Sequence, residues 1–568
     1  MPERTPLVAY FSMEIAVDPR VPTYSGGLGV LAGDFLRGAA DREFPIIGLT
    51  LLHRRGYFHQ ELDELGNQQE TPEVWRVEEL LEPLPQTCAV TVEGREVKLR
   101  AWKYPVVGQS GFEVPVYFLD SDLDGNDNFD RSLTGTLYGG DVRYRLCQEQ
   151  LLGAGGLRMV RALGHATLPT FHINEGHGAL VFPELVLEAA GSSSSNPWEV
   201  LWGTTRCVFT THTPIAAGHD EFPLDLAAQV IGPERLRILQ ELGCCNDSLH
   251  LTLVALQLGG YANAVAKSHR SVTSAMFPEY AIDSITNGVH SATWTAPPFQ
   301  RLFDQYTPAW RRDSRTLAKA GRIPADAIWA AHLEAKQDLV AEVRSRTGVN
   351  LDPDAFTLAF ARRATTYKRL DLVFSDLDRL LAIAKRRGPL QIVCGGKAHP
   401  QDGPGKEAIR RLVAAGTRLG SQIQVVFLAN YEVELAQRVV AGGDVWLNTP
   451  VPPLEASGTS GMKAAHNGVP SLSVLDGWWC EGHAEGVTGW SIGDGTGSTV
   501  EVRDDAGDAE DLYCKLESEI MPMFYGNRAA WTALMRNTIS QNAAMFNAHR
   551  MFVEYLVRAY REEETFRG

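Results

Sequence analysis

The amino-acid sequence predicts an α/β protein with two Rossmann-like, doubly wound domains that face each other across a central cleft. Three observations support this prediction. The chain has 568 residues, more than a single hydrophobic core usually organises. Short apolar, strand-like runs occur in two separate series, with helical patterns between them. Around residues 287–300, the stretch NGVHSATWTAPP interrupts the pattern with Gly and a double Pro, as is typical of a domain junction.

The first series of runs predicts an N-terminal Rossmann-like domain over residues 1–295. Its members are short and rich in aromatic and β-branched residues: PLVAYFSMEIA, FPIIGLTLL, VPVYFLD, RCVFTTHTP and HRSVTSAMF. Helical patterns lie between them, an alternation that is typical of a parallel sheet whose strands end in functional loops.

The second series predicts another Rossmann-like domain over residues 296–545. FTLAFARR, PLQIVCGGK, IQVVFLANY, GDVWLNTP and PSLSVLD are its expected strands, and EAIRRLVAAGTRLG is an expected helix. The amphipathic stretch ISQNAAMFNAHRMFVEYLVRAYREEE indicates a C-terminal helix, assigned to residues 546–568. Because parallel sheets bind ligands at the carboxyl ends of their strands, we expect the functional site in the cleft between the domains.

Composition argues against several functional classes. With 69 acidic and 53 basic residues, the net charge of -16 disfavours nucleic acid or an anionic membrane as the partner. No segment reaches the ~20 apolar residues of a membrane span, and the N-terminus lacks a signal-peptide pattern, so we expect a cytoplasmic protein. The 8 cysteines include no C-x-x-C pair, which argues against a disulfide framework or zinc site. No metal is expected.

The stretch EASGTSGMK, residues 455–463, is the first candidate site. Its spacing fits neither a Walker A loop nor G-x-G-x-x-G. One interpretation is a capped helix with Lys463 in solvent, since Ser and Thr often cap helices. The other is that Lys463 forms an imine with an aldehyde cofactor whose phosphate lies against the glycines. The residues alone leave both open.

The stretch RRATTYKRLDL, residues 362–372, places Arg362, Arg363, Lys368 and Arg369 directly after an expected strand. Four cations at the end of a strand suit the binding of two phosphates. The alternative is the solvated start of a basic helix.

Loops at other expected strand ends are rich in Gly, His, Asn and Thr. The glycine loop in TYSGGLGVLAGDFLRGAA, residues 23–40, suits an anion or a sugar but equally a structural turn. Further polar loops occur in FHINEGHGAL (Glu175, His177), FTTHTPIAAGHDEFP (His212, His219) and TNGVH (Asn287, His290). Such loops suit hydrogen bonding to sugar hydroxyls, although each histidine taken singly is more often structural.

Taken together, these stretches resemble the α-glucan phosphorylases, the family of glycogen, starch and maltodextrin phosphorylases. EASGTSGMK resembles the family's pyridoxal-phosphate lysine motif E-A-S-G-T-x-x-M-K, and RRATTYKR resembles its phosphate motif K-R-x-x-x-Y-K-R. GGLG, LAGDFL, YRLCQEQ, INEGHGAL, THT and TNGVH follow the family's order, and the match runs from about residue 8 to 490. The stretches LNTP and LDGWWCEG look more like the shorter bacterial and archaeal members.

The resemblance implies the GT-B glycosyltransferase architecture, with a glucan-binding N-terminal domain and the cofactor lysine in the C-terminal one. It implies a retaining, pyridoxal 5'-phosphate-dependent α-1,4-glucan phosphorylase that forms glucose 1-phosphate from an α-glucan or maltodextrin and inorganic phosphate. The implied cofactor residues are Lys463, Gly458, Thr459, Arg362, Gly26 and Gly27. The implied catalytic residues are Arg363, Lys368 and His212, and the glucosyl unit would meet Glu455, Asn287, His212, Gly27 and Leu28.

Members of this family are thought to use the cofactor phosphate as a proton donor or electrostatic partner of inorganic phosphate. Two adjacent phosphates repel each other unless one is protonated or cations offset their charge. Arg363 and Lys368 would supply those cations in an otherwise acidic protein. A carboxylate pair of the glycosidase type would then be unnecessary.

The sequence also departs from the family's pattern. Glu432 stands where longer members carry Arg, and Thr365 and Thr366 replace His and Glu. We expect no allosteric control like that of the longer members. Trp478 and Trp479 suit either sugar platforms or core positions. The alternatives that stay open are a nucleotide-sugar-dependent glucan synthase of the same fold and an inactive glucan-binding protein, and the sequence leaves open whether the chain forms a homo-oligomer.

Overall fold

The computed structural model describes residues 5–192, 205–245, 247–493 and 504–561. The strands of its first half are β1 (Val8–Ser12), β2 (Ile46–Leu51), β3 (His59–Leu62), β4 (Gln68–Thr71), β5 (Glu82–Val92), β6 (Arg95–Val107), β7 (Glu113–Asp120), β8 (Thr170–Asn174), β9 (Arg206–Thr210), β10 (Glu221–Pro223), β11 (Ser248–His250), β12 (Tyr261–Ala264) and β13 (Ile282–Ser284). The second half contains β14 (Phe356–Ala361), β15 (Leu390–Gly395), β16 (Gln424–Leu428), β17 (Val445–Asn448), β18 (Ser471–Val474) and β19 (Gly489–Ile492).

Nine strands of the first half form one sheet in the order β13-β12-β9-β8-β1-β2-β7-β6-β5. Neighbours run parallel except for β5–β6 and β6–β7, which are antiparallel. All residues of β1, β2 and β8 are buried, as expected where helices cover both faces of a sheet. Ser12, Asn174 and Thr210 lie side by side in register at the carboxyl ends of β1, β8 and β9. These ends form one edge of the predicted cleft.

The second half forms a six-stranded, fully parallel sheet in the order β16-β15-β14-β17-β18-β19. Counted from β14, this order is 3-2-1-4-5-6, that of the Rossmann fold. The five strands predicted in this half are confirmed. The prediction of a fold with two α/β sheets is likewise confirmed.

Helices connect the strands of both sheets. The described α-helices of eight or more residues are Gly27–Asp41, Val142–Gln150, Val181–Ser192, Leu224–Ile231, Pro233–Glu241, Leu251–Leu258, Lys267–Met276, Pro297–Tyr306, Ala325–Thr347, Leu377–Arg387, Gly403–Leu419, Val433–Gly442, Asp505–Lys515 and Arg528–Asn537. The interpretation of HRSVTSAMF as a strand is wrong, because it lies in the helix Lys267–Met276. His269 and Thr273, four residues apart, are the buried positions there, so the helical period outweighs the β-branched content. Across the described residues, no helix combines the length and the apolar character needed to cross a membrane.

The C-terminal helix returns to the first sheet. It runs from Ala548 to Glu554 and continues as a π-helical segment to Tyr560. The ring centroid of Phe552 lies 5.2 Å from the ring centroid of Phe35 and 5.5 Å from that of Phe44. The predicted domain bounds 1–295, 296–545 and 546–568 stay a proposal, and residues 562–568 lie outside the described part of the chain.

The hairpin β3–β4 reaches from the first half to the second. The backbone N–H of Gln60 donates to Asn430 Oδ1 (3.1 Å), and the N–H of Asn430 donates to Gln60 Oε1 (2.8 Å). Gln68 Nε2 donates to the carbonyl of Ala398 (2.8 Å), whose N–H donates back to Gln68 Oε1 (2.9 Å). These reciprocal bonds hold the carboxyl ends of β15 and β16 against the N-terminal half.

Candidate active site

The loop after β14 carries the predicted phosphate cations. Arg362 donates to Asn448 Oδ1 and to Thr449 Oγ1, the latter at 3.1 Å, while its Nε is buried and has no partner among the residues that the structure describes. Burial lowers the pKa of Arg362 to about 10. A buried guanidinium N–H without an acceptor is a position where an anion would be stabilised.

Arg363 points into the cleft. Its side chain is exposed, and it makes no hydrogen bond or ion pair with any other described residue. Desolvation would lower its pKa, but the nearby Tyr367, Tyr57 and Glu14 outweigh that effect and the pKa is raised. Since Tyr57 and Glu14 belong to the N-terminal half, Arg363 lies where the two halves face each other.

Lys368 and Arg369 are engaged in ion pairs. Lys368 Nζ donates to Glu455 Oε2, and this carboxylate outweighs desolvation and raises the pKa of Lys368. Arg369 is buried and pairs with Asp505 (2.8 Å) and Asp508 (2.7 Å). Arg369 is therefore structural. The alternative of a solvated basic helix start is wrong for Arg362, Lys368 and Arg369, which have internal partners, whereas Arg363 is exposed.

Glu455 begins the loop that leads to Lys463. Its side chain is buried, and its backbone N–H donates to Asp476 Oδ2 (2.8 Å). Burial and the neighbouring Glu455 raise the pKa of Asp476 to about 7. Lys368 is thus close to two buried carboxyl groups, Glu455 and Asp476. Of these two, Glu455 contacts Lys368 directly.

Lys463 lies in the short helix Ser460–Ala465 and is 8% exposed. Its Nζ is 4.0 Å from the ring centroid of Trp294, and within the described ranges it has no hydrogen-bond or ion-pair partner. Desolvation lowers its pKa to about 8, opposed by the charge of Asp34. The interpretation of a capped helix with Lys463 in solvent is wrong, since the lysine is buried and Thr459 makes no side-chain cap bond.

Gly458 and Gly461 shape the turn before Lys463. Gly458 has φ +71°, which an L-residue adopts at a cost. A Cβ on Gly461 would lie 2.7 Å from the Trp478 ring. Trp478 and Trp479 are 3% and 0% exposed, so they are core aromatics and not sugar platforms.

The glycine loop of the N-terminal half opens the helix Gly27–Asp41. This helix has no side-chain cap at Gly26, and a Cβ on Gly26 or Gly27 would meet nothing within 4 Å. Glu14 accepts the N–H groups of Ser25 (2.6 Å) and Gly26 (3.3 Å). The N–H groups of Gly27 and Leu28 belong to the first helical turn, where intrahelical acceptors are absent and anions are favoured.

The histidine loops divide into structural and cleft-facing groups. His177 contacts Arg145 (3.1 Å), His219 contacts Thr252 (2.9 Å) and His290 contacts Asp41 (3.0 Å), all through ring nitrogens. Half-buried His212 bonds Asn174 through Nε2 (2.7 Å). Asn287 is buried with an unpartnered Oδ1. His212 and Asn287 therefore retain hydrogen-bonding capacity for a ligand.

Two clusters in the described ranges approach metal-ligand spacing: Asp41, His290 and His549, and Glu149, His177 and Asp220. In the first, both histidines bond the same oxygen of Asp41, at 3.0 and 2.7 Å. In the second, Arg145 Nη2 contacts both Asp220 (3.0 Å) and His177 (3.1 Å). Both carboxylate oxygens of Glu149 are buried without a hydrogen-bond partner among the described residues.

Several cleft residues were not predicted. Asn448 ends β17 and Thr449 follows it, both within the stretch GDVWLNTP, so their position at a strand end was a usable signal. Glu14 and Asn174 likewise lie just after β1 and at the end of β8. Trp294 gave no such signal, because it lies in the junction stretch. Glu432 is partly exposed, and its carboxylate lies 4.0 Å from Arg346.

Comparison with known proteins identifies related chains. Residues 244–485 match the family model described as "Carbohydrate phosphorylase". The chain is 38% identical to maltodextrin phosphorylase from Thermococcus litoralis, over 97% of this chain and 70% of the relative. It is 36% identical to glycogen phosphorylase from Mycobacterium tuberculosis, over 97% and 70%. It is 33% identical to glycogen phosphorylase from Aquifex aeolicus, over 97% and 86%.

Proposed function

Because the chain belongs to the carbohydrate phosphorylase family, we propose that it is an α-1,4-glucan phosphorylase. It transfers the terminal glucosyl unit of an α-glucan or maltodextrin to inorganic phosphate, with retention, and releases glucose 1-phosphate. Lys463 is the observation that carries the proposal. A buried ammonium group without an anionic partner destabilises a fold. The lowered pKa of Lys463 increases the fraction of neutral amine, which is the form that attacks an aldehyde.

The residues present fit pyridoxal 5'-phosphate. Lys463 offers an amine in an enclosed, apolar setting against Trp294. Arg362 offers a buried N–H without an acceptor, and the first helical turn after Gly26 offers amides beside open space. In this proposal Lys463 would hold the cofactor through its aldehyde. The cofactor's phosphate would be held by Gly458, Thr459, Arg362, Gly26 and Gly27.

When bound, the cofactor supplies a phosphate group that serves as proton donor or electrostatic partner to the substrate phosphate. The chain's own task is to bring two anions together. Arg363 is suited to this because its guanidinium has no partner in the described part of the chain and carries its charge at every physiological pH. Lys368 adds a second cation. Its ion pair with Glu455 must break, at least in part, before Lys368 can contact the substrate phosphate.

The glucosyl unit is held by His212, Asn287 and Glu455, together with the backbone of Gly27 and Leu28. Glu455 and the unpartnered Oδ1 of Asn287 are hydrogen-bond acceptors for sugar hydroxyls. Positive charge grows on the anomeric carbon as the glycosidic bond breaks, and an adjacent phosphate dianion stabilises it.

The proposal is tested by incubating the full chain with pyridoxal phosphate, maltoheptaose and inorganic phosphate and measuring glucose 1-phosphate. We expect formation that requires both phosphate and the cofactor. Glucan elongation from a nucleotide sugar without the cofactor would contradict the proposal and favour a synthase. Maltoheptaose binding without turnover under any of these conditions would favour an inactive glucan-binding protein.

A further inference from the structure

Glu175 has a backbone conformation that L-residues rarely adopt. It follows β8 with φ 72° and ψ 166°, a region occupied almost only by glycine. Its carboxylate accepts the N–H of His212 (2.7 Å) and the hydroxyl of Thr213 (3.0 Å) through Oε2. Its own N–H donates to the carbonyl of Thr210 (2.8 Å). Glu175 therefore links the loop that carries His212 to the end of β8. Its strained backbone conformation allows the carboxylate to make these bonds to His212 and Thr213.

Asn174 determines which ring nitrogen of His212 carries the proton. The hydroxyl of Ser12 donates to the carbonyl of Glu14 (2.8 Å), so its oxygen is left to accept from Asn174 Nδ2 (3.1 Å). This orients Asn174 Oδ1 toward His212 Nε2, 2.7 Å away. An amide oxygen only accepts hydrogen bonds, so Nε2 must be the protonated nitrogen.

The surroundings of His212 keep its ring uncharged. Burial, together with smaller contributions from the nearby His269 and His177, lowers its pKa to about 3. His269 is itself bonded, with Nδ1 accepting from the N–H of Val265 (3.4 Å) and Nε2 contacting the carbonyl of Thr213 (3.3 Å).

Two more titratable groups complete this environment. His172 is near enough to His212 for their charges to interact, and it is buried with Nε2 bonded to the hydroxyl of Thr210 (2.9 Å). Glu175 meets the backbone of His212 and not its ring. Burial raises the pKa of Glu175 to about 7, opposed by the bonds from His212 and Thr213.

We propose that Asn174 and Glu175 are positioning residues that hold His212 as a neutral imidazole with an unprotonated Nδ1. Among the described residues, this Nδ1 has no hydrogen-bond partner. It accepts hydrogen bonds and cannot donate them, so the ligand atom opposite it must be a hydroxyl that donates. The identity of that ligand as a glucosyl unit rests on the proposed function, but the orientation of the ring does not.

The specificity that follows is directional. A hydroxyl donates to a bare imidazole nitrogen, whereas a fluoro or methoxy substituent in its place does not. Within a series of monofluorinated or mono-O-methylated maltooligosaccharides, we expect one position on the terminal glucose to lose at least about tenfold in kcat/KM through His212. In His212→Gln the amide rotates to offer either a donor or an acceptor, so this variant should discriminate less at that position.

The ring of His212 is observed by NMR in the full chain labelled at its 15 histidines, with His212→Gln identifying its signals. We expect the Nε2–H tautomer in the wild type, without titration between about pH 5.5 and 8. The Nδ1–H tautomer, or an imidazolium at neutral pH, would overturn the proposal. A wild type with the expected tautomer but no phosphorolysis would support the positioning role and contradict the proposed function alone.

Two variants separate positioning from simple structural damage. Asn174→Asp places a carboxylate against the ring, so His212 should gain a second proton and kcat/KM should rise at least about tenfold as pH increases through the new pKa. Asn263→Asp is the matched control, because Asn263 is buried at the same sheet edge but bonds Thr210 and Tyr555 instead of the ring. An unchanged His212 spectrum in folded Asn174→Asp, or the same protonation in Asn263→Asp, would contradict the assignment. If neither variant folds, the tautomer of His212 observed by NMR in the wild type still supports or contradicts the proposal.

Discussion

Lys463 Nζ lies 4.0 Å from the ring centroid of Trp294, and the indole Nε1 of Trp294 donates to Asp34 Oδ2 at 2.8 Å. The three residues come from the C-terminal half, the junction and the first helix of the N-terminal half. The lysine thus lies where these parts meet, and among the described residues an aromatic face and a more distant carboxylate offset its charge. The predictions below follow from this unpaired cation and from its neighbours in the cleft.

Replacing Lys463 with Met should stabilise the cofactor-free chain in a pH-dependent way. The folded-state pKa of about 8 lies below the unfolded value of 10.5, so the unfolded state binds more protons between these pH values and wild-type stability rises with pH there. At pH 7 we expect Lys463→Met to be more stable by about 3 kcal/mol, and the difference should shrink toward pH 10.5. Denaturant unfolding at both pH values measures this.

The matched control for this variant is Lys385→Met, at an exposed position of the helix Leu377–Arg387. An advantage of Lys463→Met that is equal at pH 7 and pH 10.5 would show that packing and not charge is responsible.

Replacing Gly458 with Ala should weaken cofactor retention. The residue has φ +71°, and Gly486, with φ +66° and open space around it, is a matched control. Both alanine variants should lose about 1–2 kcal/mol of unfolding free energy. Only Gly458→Ala should release pyridoxal phosphate faster on dialysis, followed by absorbance. Equal retention in the two variants would argue against Gly458 as part of the cofactor site.

Replacing Arg363 with Ala should impair phosphate use without harming the fold. Since Arg363 has no partner in the described structure, unfolding free energy should change by less than about 0.5 kcal/mol. The kcat/KM for inorganic phosphate should fall about 10²–10³-fold, because a charge next to the transferring group is lost. Arg344→Ala, at an exposed position of the helix Ala325–Thr347, is the control. Similar phosphate kinetics in both variants would remove Arg363 from the site.

Replacing Glu455 with Gln should leave Lys368 charged, buried and unpaired. The pKa of Lys368 should fall, because Glu455 is what offsets its desolvation. Unfolding free energy should drop by about 3 kcal/mol, and the double variant Lys368→Met, Glu455→Gln should regain most of it. Denaturant unfolding of the two single variants and the double variant tests this coupling. Additive losses would mean that the two side chains do not depend on each other.

The second sheet could be predicted from sequence because its strands are short apolar runs at regular intervals. Local patterns were enough to predict the strands from FTLAFARR to PSLSVLD. The cations after β14 could be predicted as candidate site residues because they lie at a strand end. HRSVTSAMF failed because its β-branched residues suggested a strand, while the burial of His269 and Thr273 follows a helical period. Local composition gave no means to choose between these two patterns.

The environment of Lys463 depends on parts of the chain that are far apart in sequence. EASGTSGMK alone fits a solvated lysine as well as a buried one, and only the contact with Trp294 distinguishes them. The bond between Asn174 and His212 similarly requires β8 and β9 to be neighbours, which the sequence does not state. Sequence patterns located the loops, whereas the protonation and pairing of their side chains required the fold.

The most direct test of the central claim is to load the full chain with pyridoxal phosphate, reduce it with borohydride and locate the label by peptide mass spectrometry. The account predicts stoichiometric labelling of Lys463. Labelling confined to other lysines, or no stable labelling at all, would contradict the assignment of Lys463 and with it the proposed phosphorylase.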